Sequence, residues 1–127
     1  MTSDTGPRST DSAASAVVVV LTTLPAESDA EAFAETLVKE RLAACVTVGA
    51  PMTSIYRWKG AVERGLERQL LVKTVRDKVP LLEARLGTLH PYEVPEFLVL
   101  PIAEGGETYL AWVRECAAGG VSSVQGA

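Results

Sequence analysis

The only histidine of the chain, His90, lies in the stretch HPYEVPE (90–96), close to Glu93 and Glu96. An imidazole with nearby carboxylates is a donor set that can hold a divalent cation. The same histidine, ending a helix, serves equally well by bonding the last carbonyls of that helix. A third use is as acid or base in a reaction, although no substrate is indicated. Pro91 and Pro95 stiffen the stretch, because proline cannot continue a helix and biases its predecessor to extended geometry. Whatever else it does, the segment carries the chain from a helix into a strand.

A second group of chemistry-bearing residues lies between Ser54 and Thr74. If Lys59-Gly60 forms a two-residue turn, Trp58 faces Ala61 and Tyr56 faces Glu63. Glu67 falls further along that face, opposite Met52, if no bulge shifts the register. Two aromatics and two carboxylates on one face suit the lining of a cleft. Their competing use is interface packing, which aromatics anchor. Glu67 and Lys73 flank the apolar QLLV, as a ligand-binding acid and an anion-binding ammonium, or simply as charges reaching solvent or a partner. Tyr92 of HPYEVPE joins this cleft set. Cys45 and Cys116 are isolated and form no C-x-x-C pattern, which speaks against a zinc ribbon or a thioredoxin-like motif. Cys45 reads mainly as core.

The elements that position these residues follow from patterning. The chain has 127 residues, 47% of them hydrophobic, which suits a single domain. A net charge of −4 without a basic stripe argues against a nucleic-acid partner. No apolar run is long enough for a membrane span, and the polar N-terminus does not resemble a signal peptide. Residues 1–15 and 118–127 read as disordered tails around one domain at 16–117. The run AVVVVLTTL predicts a first strand covered on both faces. Ser28 and Glu31 read as a capping box for a helix over about 29–42, with Ala30, Phe33, Ala34, Leu37 and Val38 on its buried face.

Two long strand-like arms meet at Lys59-Gly60, with a bulge or bend expected near Gly49 and Pro51. An arm of about 14 residues reaches about 45 Å, beyond the edge of a small domain, and needs something to pair with its edges, another copy of the chain being the simplest candidate. Asp77 is placed to cap a second helix, with Pro80 in its first turn and Val79, Leu82, Leu86 and Leu89 as its stripe. A short strand in PEFLVLPI and a C-terminal helix with Tyr109, Trp112, Val113 and Cys116 at helical spacing complete the chain. The order implies an α+β fold, a ferredoxin-like split βαβ sandwich with a long β-hairpin and a C-terminal helix. One sheet face carries both main helices and the other stays bare, a second reason to expect an oligomer. Phosphate-loop, dinucleotide, nucleophile-elbow and H-E-x-x-H patterns are missing, and the chain is not read as an enzyme.

The segments ERLAACVTV, SIYRWKGAVE, LVKT, HPYEVPE and YLAWV occur in that order with matching spacing. Together they resemble the CutA family of divalent-cation tolerance proteins, over roughly residues 16–116. The resemblance implies a homotrimer whose hairpins reach neighbouring subunits, with clefts like those of PII-type signalling trimers, while the two isolated cysteines fit a reducing cytoplasm. It implies tolerance of copper and other divalent cations, and the residues themselves offer His90, with Glu93 or Glu96 or carboxylates of a neighbouring subunit, as ligands of a weakly bound cation. The cleft residues are then Tyr56, Trp58, Glu63, Glu67, Lys73 and Tyr92. Some members carry a cysteine where this chain has Thr22 and a second histidine where it has Leu89, leaving His90 alone of the soft donors. The alternative is a PII-like small-molecule sensor or scaffold with an unidentified protein partner and no direct chelation.

Overall fold

The computed structural model describes residues 13–117; both terminal tails expected from the sequence lie largely outside them. Residues 14 and 15 are tied down, since the Ala14 carbonyl accepts from the Asp77 N–H and the Ser15 carbonyl from Arg114 Nε.

Strand β1 (Val17–Pro25) is followed by helix α1 (Ala30–Lys39). Its N-cap is Asp29, whose Oδ1 accepts from the Ala32 N–H at 3.0 Å, so the expected Ser28–Glu31 capping box is replaced by the neighbouring carboxylate. The helix also ends earlier than residue 42. Arg41 takes φ = 61°, and the Leu42 N–H bonds the Leu37 carbonyl while the Arg41 N–H bonds that of Val38. This is a Schellman ending built without glycine.

Strands β2 (Cys45–Trp58) and β3 (Ala61–Val75) form the long hairpin. Lys59 and Gly60 both have positive φ, 50° and 84°, as the type I′ turn requires. Tyr56 pairs with Glu63 and Met52 with Glu67, and the register shifts between Val48 and Pro51. At that bulge a Cβ on Gly49 would stand 3.1 Å from the Gln69 carbonyl oxygen, so glycine permits the close approach. Arg68 Nε donates to the Gly49 carbonyl at 2.9 Å and fastens the bulge.

A 3₁₀ turn (Arg76–Lys78) leads into α2 (Val79–Leu89). Lys78, not Asp77, occupies the N-cap, and no side chain among the described residues caps it; the intervening turn displaces Asp77 from the helix start. Strand β4 (Leu98–Pro101) and α3 (Glu107–Ala117) end the described chain. The sheet order is β2-β3-β1-β4, with every neighbouring pair antiparallel. This is the ferredoxin-like arrangement.

Alternation along β1 and β3 sorts the two faces. Val20, Leu24, Leu70 and Val72 pack with Leu37 of α1 and with Leu82 and Leu86 of α2 in one core. Thr22 is also fully buried, and its hydroxyl has no hydrogen-bond partner among the described residues. The opposite face is not wholly bare. Val17 and Val75 pack there with Val113 and Ala117 of α3, which covers one end. Beyond it, Leu98 and Leu100 stay 53% and 44% exposed.

Arg85 of α2 grips the Glu40 carboxylate after α1 with two bonds, at 2.8 and 2.7 Å. The Arg85 hydrogen bond holds the Glu40 carboxyl below its ordinary value, against an opposing effect of burial and with a smaller contribution from the Arg85 charge. The folded carboxyl is thus the stronger acid. Its contribution to stability is present above the unfolded carboxylate range and is lost as pH falls through the lower folded value. Urea titrations across acid pH should show a part of the acid-side decline that Glu40→Gln removes.

Candidate functional site

The candidate site forms where the C-terminal end of α2 meets β1 and the hairpin. His90 leaves the helix in extended geometry, φ = −80° and ψ = 135°, while its N–H still bonds the Leu86 carbonyl. Pro91 then prevents any continuation. The His90 ring is buried, with Phe33 edge-on at 6.3 Å and Tyr92 tilted at 4.9 Å between centroids. Its Nε2 lies 2.6 Å from the Thr23 carbonyl oxygen, and its Nδ1 lies 3.1 Å from the Tyr92 nitrogen. A carbonyl only accepts and a backbone N–H only donates. The ring is therefore the neutral tautomer protonated at Nε2, with both nitrogens already bonded.

The network continues through Tyr92, whose hydroxyl donates to Glu67 Oε2 at 2.7 Å. The Thr23 hydroxyl lies 3.5 Å from the same oxygen. Thr23, His90, Tyr92 and Glu67 thus close a ring of contacts joining β1, β3 and the 90–96 segment. Burial, then the hydrogen bond and charge of Glu67, pushes the Tyr92 phenol well above its ordinary pKa. It stays a donor.

This ring forms one wall of a cleft of about 510 Å³. Glu63 and Glu67 of the hairpin face it, as do Glu93 and Glu96 of the following loop. Tyr56, Trp58 and Tyr92 supply its aromatic surface. The two groups of residues singled out in the sequence, one around His90 and one on the hairpin, therefore meet in a single place. His90 stands behind the wall and not in the cleft. Lys73 lies elsewhere, paired with Val19 and Cys45 across the sheet, and its Nζ donates to Thr47 Oγ1 at 2.9 Å. Cys45 is half-buried beside Tyr109, whose phenol is pushed up mainly by burial. Thr23 and Ser54 also line the cleft. Sequence reasoning missed Thr23; the signal was the polar pair within an otherwise apolar strand.

The donor set bears on a bound cation. Among the described residues no three His, Cys, Asp or Glu side chains are grouped to hold a metal ion. Carboxylates suit hard cations, whereas copper favours imidazole and thiolate. The His90 nitrogens are taken, and Thr22 is in the core. One chain thus presents negative charge to a cation but, among the described residues, no copper site.

Fold and cleft together define a class: a ferredoxin-like domain with an overlong hairpin, a partly open sheet face and an acidic, aromatic cleft. The family model of CutA1, the CutA1 divalent ion tolerance protein, matches residues 18–116, and this chain belongs to that family. It is similar to the divalent-cation tolerance protein CutA of Thermus thermophilus, 54% identical over 97 residues, covering 76% of this chain and 94% of that one. Human Protein CutA is 41% identical over 99 residues, 78% of this chain and 55% of that protein; the chain spans about half the human protein's length. The solved structure of the Thermus thermophilus protein superposes with a TM-score of 0.77 at 51% identity, covering 80% of this chain and 99% of that one. The family is described by tolerance of divalent ions and not by a reaction.

Proposed function

We propose that this chain acts in divalent-cation tolerance as a cytoplasmic homotrimeric binding protein, without catalysis, and that its cleft is the part that receives ligand. The observation that carries this reading is the convergence of Glu63, Glu67, Glu93 and Glu96 on one cleft beside aromatic walls. Divalent cations, copper included, are then held weakly and through carboxylates. His90 braces the wall and supplies no ligand atom. Two free cysteines accord with a reducing compartment.

Assembly is favoured by apolar surface that one chain leaves in water. Ile55, Val62 and Leu66 are 59%, 66% and 60% exposed along the back of the hairpin. The Tyr109 and Trp112 rings meet at a tilt, with centroids 5.6 Å apart, and are also exposed. Surface of this kind marks contact between proteins. Equilibrium sedimentation of the full chain at micromolar concentration should give the mass of three chains, and a stable monomer would reject the assembly. Calorimetric titration with Mn²⁺ and Cu²⁺ should show weak binding that disappears in Glu93→Gln/Glu96→Gln. Binding unchanged by those substitutions would remove the cleft from cation handling.

A second reading, a PII-like sensor that takes a small molecule and alters contact with a protein partner, is favoured by the size of the cleft. About 510 Å³ lies within the span of small-molecule pockets, roughly 300–1,000 Å³.

A further inference from the structure

We infer that helix α3 is a strap that lifts from the sheet as a unit while the rest of the domain stays folded, and that Arg41 is its latch. The first ground is how little holds the helix. Its buried side chains, Val113 and Ala117, pack with Val17, Ala44 and Val75 in a cluster separate from the main core. All five are valine or alanine. Leu110 and Cys116 add only partly buried contact, and the large residues Tyr109 and Trp112 are 46% and 42% exposed. Helix α2, by contrast, sinks Leu82 and Leu86 into the main core. Elements with little buried apolar surface open at lower free energy than the whole.

The second ground is the backbone of Arg41. Its φ of 61° is a left-handed conformation, costly for a residue with a Cβ and free for glycine. The Schellman ending of α1 needs that conformation but does not need an arginine. The side chain supplies the use for one. Arg41 Nη1 donates to the Cys116 carbonyl, in the last described turn of α3, at 3.2 Å. Arg114 Nε makes a matching tie from the helix side, to the Ser15 carbonyl at 3.1 Å. Both bonds are only partly buried, so water takes over each partner when the helix lifts. The backbone of Arg41 belongs to the end of α1 whether α3 is down or lifted. Its strain is common to both states, and only the side-chain bond separates them. Lifting α3 bares Val17 and Val75 on the face where Leu98 and Leu100 are already exposed.

The test is hydrogen–deuterium exchange of the full-length protein under native conditions, read by mass spectrometry on peptides of α3 and of β1 and β3. After correction for sequence, the α3 amides are expected to exchange at least about tenfold faster than the strand amides. Two variants remove the bond in different ways. Arg41→Gly also relieves the backbone strain, whereas Arg41→Met keeps both the strain and most of the stem. Each should speed the α3 amides about fivefold, the scale of one partly exposed hydrogen bond, with no matching change in the strands. Circular dichroism establishes that each variant is folded, and if one is not, the other decides. Wild-type α3 amides no faster than those of the strands would make the helix part of one cooperative unit and overturn the inference. So would folded variants that leave α3 exchange unchanged or speed helix and strands alike. Acceleration by Arg41→Gly with none by folded Arg41→Met would trace the effect to the backbone and also reject the latch.

Discussion

His90→Ala is expected to lower stability by about 3 kcal/mol, equally with and without a chelator. The ring is buried, and each nitrogen serves a backbone group, the Thr23 carbonyl and the Tyr92 N–H. Removing the imidazole leaves both groups without their partner, at about 1–3 kcal/mol for each that stays dry. It also leaves a void between Phe33 and Tyr92. Urea unfolding of both proteins, with and without EDTA, separates the two roles of a histidine. A brace is missed whether or not metal is present. A ligand would be missed only when metal is bound, and a loss confined to metal-loaded protein would overturn the brace.

Leu82→Ala should cost a similar amount, about 3 kcal/mol, within the range for truncating a buried leucine. Leu82 is fully buried in the main core and, with Leu86, is what holds α2 against the sheet. It is not among the residues that line the cleft, yet α2 positions His90 and, through it, the loop bearing Glu93 and Glu96. The midpoint of urea unfolding reads the change, and a loss below about 1 kcal/mol would show that α2 is anchored otherwise.

Much of the hairpin was legible because turn chemistry is local. Lys59-Gly60 fixes the turn, and counting outward places Tyr56 opposite Glu63 and Met52 opposite Glu67. The bulge at Gly49 lies beyond those pairs, so it leaves them undisturbed. The helix caps were less legible. Ser28 and Asp29 are adjacent and both suited to an N-cap, and only the backbone path decides that the carboxylate takes the role. The candidate site was legible in its membership more than in its roles. Glu93 and Glu96 read as companions of His90 because they are close in sequence. In space they face the hairpin acids, while the imidazole turns to a carbonyl 67 positions away. No local pattern announces such a contact. Lys73 shares a sheet face with Glu67 but lies six residues further along β3, away from the cleft, a separation that its place beside the apolar QLLV did not disclose.

The position of β1 in the sheet bears on how the molecule is made. Among the described strands it emerges first in synthesis, but it lies between β3 and β4 and does not pair with β2, the strand that follows it in sequence. Val17 must wait for Val75, and Val19 for both Lys73 and Leu100. The hairpin closes around its own turn and can form on the scale of microseconds. Seating β1 requires closing a much longer loop, the kind of step that slows folding. Until that happens, an unpaired apolar strand trails from a half-built sheet, and other chains compete for it. The central strand is thus also the segment most exposed to misassembly during birth of the protein.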